Sequence, residues 1–350
     1  MQQLFAEQAS AENQAQWKDS IVLQNSRGMR VELTPMGATW LSCQLPVSQS
    51  DMREVLLGVD SEQTLLTQTS YLGMTIGPYA NRIANASFTL DGKQYVLDAN
   101  ENGNCLHSGK QAFHNRRWDV AEQTENQVRF STTSPDGEMG FPGDLAVSVT
   151  YTVTESDQVL IEYHATTNQP TPVSLTNHAY FNLHGADQVD SCLDHSLWLD
   201  ADEFLPISDT GIPLGELQDV TGSGFDFRRN KPVRTDLMQD QQQMTAQGYD
   251  HAYLFRAERD VSRPVASLTS VDERIRMHVV TTMPAIQLYT GNWLAGTPGR
   301  GDHIYSQYAG IALETQFLPD SPNHSEWQQP SCILKPGETY HHMTCYQFEF

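Results

Sequence analysis

The stretch TNHAYFNLHG, residues 176 to 185, packs two histidines (His178, His184), two asparagines (Asn177, Asn182) and two aromatic rings (Tyr180, Phe181) into ten residues. Imidazole titrates near neutral pH and amides carry both donors and acceptors, so this combination suits proton transfer beside a hydroxyl-rich ligand. Similar polar clusters recur at the ends of other apolar runs. NRIANA (81 to 86) brings Asn81 and Arg82, NCLHSG (104 to 109) brings His107, and GYDHAY (248 to 253) brings Asp250 and His251. PAIQLYTGN (284 to 292) offers Gln287, and IALETQF (311 to 317) carries Glu314 in its middle. A carboxylate inside so apolar a run is costly to bury unless it is paired or used, which sets Glu314 apart. Each of the others also has a plainer reading. Asp250 beside Gly248 fits a turn, His107 and His178 fit core histidines held by backbone carbonyls, and Arg82 fits a cation that neutralises a neighbouring acid.

The elements that must position these residues read as strands. From Ile21 onward, short segments of period-two alternation are separated by turn residues, the pattern of an all-β chain. LTPMGATWLSCQL (33 to 45) is the first, with Gly37 as a bend. ASFTLDGKQYVL (86 to 97) is the clearest hairpin, because Asp91-Gly92 supplies the positive-φ pair that a two-residue turn demands. NQVRFSTTS (126 to 134), LAVSVTYTV (145 to 153) and VLIEYHATT (159 to 167) form an antiparallel meander. In it Leu145, Val147, Val149, Tyr151 and Val153 share one face, as do Val159, Ile161, Tyr163 and Ala165. Residues 195 to 220 carry too many breakers for a long helix and read as a strand followed by an ordered loop. The Gln-rich segment around Gln241 to Gln243 reads as one helical turn or a surface loop. Residues 275 to 293, 308 to 317 and 341 to 350 resume strand character. No repeat or linker divides the chain, which predicts a short N-terminal tail or helix over 1 to 18 and one large antiparallel β-sandwich domain over 19 to 350.

Composition removes several classes of function. With 43 acidic against 21 basic residues, a formal charge of -22, the chain lacks the basic patches that attract nucleic acid or anionic membrane. Five scattered cysteines without a CxxC pair indicate neither a disulfide framework nor a zinc knuckle and point to a reducing compartment. The N-terminus shows no signal-peptide pattern and no run reaches the roughly 18 apolar residues of a membrane span, so a cytoplasmic location is expected. Nucleotide, dinucleotide, zincin and esterase motifs are absent, and neither His341-His342 nor His324 shows metal-ligand spacing, so no metal and no organic cofactor is expected.

Taken in order, NRIANASFTLDGKQY, NCLHSG, GFPGDL, LTNHAYFNLHG, ADEFLPI, GYDHAY, YTGNWL and LETQFLPDSPNH resemble the motifs of the aldose 1-epimerases, or galactose mutarotases, from about Ile21 to the C-terminus. The resemblance implies a galactose mutarotase-like supersandwich with an open sugar cleft and no cofactor. It also implies interconversion of the α and β anomers of free aldohexoses, galactose and glucose first, by a monomer or homodimer. Carried over position by position, it makes His178 the general acid and Glu314 the general base, on opposite sides of the sugar. It gives Asn81 and Asp250 to the distal hydroxyls, and Arg82, His107 and Gln287 to the ring or its oxygen. Pro78 stands where many relatives carry Arg, and Ser108 where Gly is common; both bear on substrate preference. The rivals are an epimerase of a phosphorylated hexose, a non-catalytic sugar-binding module on the same fold and, more distantly, a glycosidase, which requires two carboxylates flanking the bond. His184 falls where the family varies and reads as structural or surface.

Overall fold

Where one face of a strand meets the core and the other meets water, the alternation expected from sequence is the alternation observed. Strands Leu145–Val153 and Gln158–Thr167 bury every second residue, and both pair antiparallel in the expected meander with Gln127–Ser134. They belong to a nine-stranded sheet that continues through Tyr340–Glu349, Arg276–Thr281, Ala266–Thr269 and Ser196–Leu199. A second sheet of six strands runs in the order Tyr180–Phe181, Ile311–Gln316, Ala285–Tyr289, Asp250–Leu254, Glu203–Leu205 and Gln218–Asp219. A four-stranded sheet, Ile21–Gln24 to Asp51–Glu54, stands beside them. The structure is a computed structural model that describes residue 17 and residues 19–187 and 191–350, so the expected tail over 1 to 18 lies, apart from Trp17, outside the described residues.

The two large sheets meet face to face, as the sandwich reading requires. The main core cluster draws Val149, Ile161 and Tyr346 from the nine-stranded sheet and Tyr253, Ile286, Leu288 and Leu313 from the six-stranded one. Tyr346 donates its hydroxyl hydrogen to the Leu313 carbonyl at 3.1 Å, so even the polar atom of the interlayer finds a partner. The Asp91-Gly92 turn closes the hairpin Ser87–Leu90 to Lys93–Val96 with both residues at positive φ. The stretch 275 to 293 divides at Pro284: Arg276–Thr281 joins the nine-stranded sheet and Ala285–Tyr289 the six-stranded one. Gln241–Ala246 is a helix closed by a capping box between Asp240 and Gln243. A second short helix, Glu62–Thr67, was not foreseen; its Ser61 cap is visible in sequence, but six residues are too few for a helical period to register. No described helix is long and apolar enough to cross a membrane, and all five cysteines are buried free thiols.

Candidate active site

Strand parity decides which residues of the six-stranded sheet meet the core and which meet a ligand. Gln287 pairs with Glu314, Ala252 with Gln287, Asp250 with Tyr289, and Tyr289 with Ala312. Directly opposed residues share a face and alternate residues change it. Asp250, Gln287, Tyr289 and Glu314 therefore point one way, while Tyr253, Ile286, Leu288 and Leu313 point into the interlayer core. Tyr180, paired with Ala312, joins the polar face. At one end of this face lies a cavity of about 240 Å³ whose wall includes Asn81, Arg82, His107, His178, Asp250 and Glu314. Six of the seven expected site residues are thus brought together from five separate stretches of chain.

The seventh, Gln287, is not part of that wall. It lies behind Asp250 and donates from Nε2 to Asp250 Oδ1 at 2.7 Å, while its own Oε1 is buried without a partner. That hydrogen bond fixes the orientation of the Asp250 carboxylate. Arg82 sits in the wall but is already engaged, with Nε and Nη2 donating to Glu101 at 2.6 and 2.8 Å and Nη1 3.9 Å from Asp250. The plainer reading of Arg82, a cation that neutralises an acid, is part of its geometry. Asn177, from the same cluster as His178, turns away and donates to Gly73 O and Tyr151 Oη. His251 is likewise structural: its Nδ1 accepts from the Asp250 amide at 3.1 Å.

His178 and Glu314 meet at the floor. His178 Nε2 lies 3.6 Å from Glu314 Oε1, and both side chains are almost fully buried. Glu314 Oε2 and His178 Nδ1 have no hydrogen-bond partner, unusual for atoms so deep. Burial holds the His178 pKa down at about 3. Burial, reinforced by the Asp250 charge, pushes that of Glu314 well above the usual carboxylate range. Burial thus disfavours the charged form of both groups, the imidazolium and the carboxylate alike. The separation also corrects the expectation that acid and base flank the sugar from opposite sides: at 3.6 Å no ring fits between them. They stand side by side, which suits two oxygens borne on one carbon.

The imidazole of His107 is fixed by a short-range device. The Asn81 amide donates to His107 Nδ1 at 3.1 Å and the His107 amide donates back to the Asn81 carbonyl at 3.0 Å. Both residues have positive φ, which brings the two backbones close enough for this exchange. Because Nδ1 accepts, the proton of the neutral ring resides on Nε2, and burial keeps the ring neutral. The Asn81 side-chain carbonyl accepts from the Arg82 amide, leaving its NH2 to a ligand.

Aromatic rings complete the wall. Tyr71, at φ 56, sets its ring against those of His107 and His114 at 4.7 and 5.0 Å, and Tyr180 lies 4.9 Å from His178. Trp293, 62% exposed, stands at the rim. Tyr71, Glu101, Tyr289 and Trp293 were not among the expected site residues. The only sequence signal for them was the nearness of Glu101 to NCLHSG and of Tyr289 and Trp293 to Gln287. Pro78 and Ser108, expected to bear on substrate preference, are not among the residues of the wall; Ser108 Oγ instead both accepts from and donates to the backbone of Tyr79.

Comparison with known proteins agrees with this geometry. The family model for aldose 1-epimerase matches residues 19–347. The aldose 1-epimerase of Escherichia coli (strain K12) is 45% identical over 328 residues, 94% of each chain. The galactose mutarotase of Bos taurus is 38% identical over 321 residues, 91% of each. The crystal structure of a GalM/aldose epimerase homologue from C. elegans superposes with a TM-score of 0.86 at 31% identity, covering 94% of this chain and 98% of the other. A fold of large antiparallel sheets, a polar pocket over a buried histidine–glutamate pair and similarity along nearly its whole length together place this chain in the aldose 1-epimerase family.

Proposed function

We propose that this protein interconverts the α and β anomers of free aldohexoses, D-galactose and D-glucose first, with His178 as general acid and Glu314 as general base. The observation that carries the assignment is the buried pair itself: an imidazole and a carboxyl group 3.6 Å apart in a pocket of monosaccharide size. Opening the ring requires a proton delivered to O5 and another removed from O1, both on C1. Two groups side by side address those two oxygens. With one proton between the two groups, a sugar O1–H donating to Glu314 favours its carboxylate and moves that proton to His178. Ring opening then takes the O1 proton onto Glu314 and gives the His178 proton to O5. That returns the pair to the uncharged state which burial favours, so desolvation assists the step. Rotation about C1–C2 presents the other carbonyl face, and closure runs the same transfers in reverse.

The remaining contacts divide between grip and freedom. Asp250, held by Gln287, and Asn81 suit the distal hydroxyls, while His107 Nε2–H and Arg82 suit the ring side. A phosphorylated hexose fits poorly: Glu101 and Asp250 line the cavity against a single cation, Arg82, already paired with Glu101. The buried free thiols agree with work in a reducing compartment, the cytoplasm.

Polarimetry of freshly dissolved α-D-galactose and α-D-glucose tests the reading. Protein should speed the approach to anomeric equilibrium, and Glu314→Gln and His178→Asn should each slow turnover at least about 10²-fold with the fold intact. No acceleration by the wild-type protein would refute the activity; a near-normal rate in either variant would remove that residue from its role.

A further inference from the structure

The outer face of the nine-stranded sheet carries a row of side chains that the sugar site does not use. Register sets Ser131 opposite Ser148, Ser148 opposite His164, and His164 opposite His341, so one line of neighbours crosses four strands and ends in two imidazoles. Strand parity places Glu162 on the same face, two residues before His164. The rings of His164 and His341 stack at 4.1 Å with 17° between planes, and His341 Nε2 lies 3.7 Å from Glu162 Oε1. One donor atom from each of the three residues lies within 4.8 Å of the other two.

The geometry points to a second site, for a divalent transition-metal ion such as Zn²⁺ or Cu²⁺, held by Glu162, His164 and His341. Two imidazole nitrogens and one carboxylate oxygen are the donor set such ions prefer, whereas Mg²⁺ and Ca²⁺ demand oxygen ligands. The sequence hid the site because its ligands lie on two strands far apart in the chain, with no local spacing to betray them. Tetrahedral ligands at about 2.0–2.1 Å from zinc stand about 3.3–3.4 Å from one another, so the 3.7 Å gap must close by a few tenths of an ångström, the wider gaps, within 4.8 Å, by up to about 1.5 Å, and His341 must turn out of its stack on His164. His341 is exposed and free to turn, while Glu162 and His164 are half-buried and supply the fixed side.

The surroundings favour entry. A trough of about 560 Å³ beside His164, walled by Ser131, Ser148 and Thr166, leaves room for water in an open coordination position. All five cysteines are buried, so no exposed thiol competes for the ion. The nearby cation, Arg129, is held 2.7 Å from Glu122. A stacked histidine pair that merely packs is the competing explanation, and it predicts no loss of metal affinity when the pair is broken.

Calorimetric titration of the metal-stripped full-length protein with ZnCl2, and separately with MgCl2, distinguishes the two. One equivalent of Zn²⁺ and no Mg²⁺ should bind. His341→Ala should weaken Zn²⁺ at least about 10-fold, and Glu162→Gln should weaken it too. His324→Ala, which alters a different histidine–carboxylate cluster, should leave the affinity unchanged. Sugar mutarotation by His341→Ala should match wild type, which shows that the variant folds. Absence of stoichiometric Zn²⁺ binding, or the same affinity in His341→Ala as in wild type, would overturn the site.

Discussion

At the scale of single residues, burial of the Glu314 carboxyl costs stability. Glu314 is buried with one oxygen unpartnered, and its pKa is raised, so between the unfolded carboxylate value and the folded one the native state holds more protons than the unfolded chain. Stability from this group is therefore lost as pH rises through that interval, and at pH 7 the group is a cost. Glu314→Gln should melt at a higher temperature than wild type at pH 7 while losing catalysis, a stability gain of about 1–2 kcal/mol. An unchanged or lower melting temperature would show that the carboxylate is not strained by burial. The same pair sets the pH profile. Because His178 is held down at about 3, kcat/KM should show no acid limb near pH 6.5 and should decline only on the alkaline side, where the pair loses its one proton. An acid limb centred near 6.5 would mean that His178 titrates as if in water. Gln287 belongs to this scale too. Gln287→Leu removes the hydrogen bond that orients Asp250, and kcat/KM should fall roughly 10-fold through KM, since an interaction of this kind is worth about 1–2 kcal/mol. A drop in kcat alone would place Gln287 in the chemistry instead.

At the scale of elements, what the sequence disclosed tracks how many faces of a strand are buried. The meander from Gln127 to Thr167 was legible because one face is wet, and the hairpin at Asp91-Gly92 because its turn chemistry is local. Ile311–Gln316 is buried on both faces, so no alternation announced that Glu314 and Gln316 turn away from the core. Likewise TNHAYF forms only two-residue pairings, Thr176–Asn177 with Thr75–Ile76 and Tyr180–Phe181 with Ile311 and Ala312, joining different partners within six residues. The family resemblance supplied the roles of His178 and Glu314, but the register that puts them side by side is a long-range fact no local pattern holds. The breakers of residues 195 to 220 marked an ordered loop, but no pattern showed that its Gly211, at φ +76, comes up against the guanidinium of Arg82. A Cβ there would stand 2.7 Å from Arg82 Cζ. Gly211→Ala should displace Arg82 and raise KM for galactose about 10-fold. The positive φ adds a destabilisation on the order of 1 kcal/mol. Wild-type KM in a folded Gly211→Ala protein would show that Arg82 is not held by this contact.

At the scale of the whole molecule, burying so many neutral imidazoles makes the fold sensitive to acid. Burial lowers His178 and His251 to about 3, and His114, His195 and His342 to about 4. For each, the unfolded chain binds a proton below about pH 6.5 while the native state does not until much lower. Their stability is fully present above that value and is lost as pH falls toward 4, by up to about 1.4 kcal/mol per pH unit for each group. The raised carboxyls of Glu314, Asp250 and Asp320 carry the opposite sign, but they are three against seven, since His107 and His164 are lowered as well. Net charge also works the other way: at -22 the chain repels itself at pH 7, and the repulsion fades as pH approaches the isoelectric point near 4.7. Surface repulsion is screened by salt whereas buried groups are not, so the two contributions separate in urea titrations at 0.5 M and low salt. The urea midpoint should fall steadily from pH 7 to pH 5, more steeply at high salt, where the compensating loss of repulsion is removed. His195→Asn, away from the sugar pocket, should reduce the slope by about one proton. A midpoint that stays constant or rises toward pH 5 at high salt would mean that these histidines are protonated in the folded protein, and with them the neutral resting state assigned to His178 would fall.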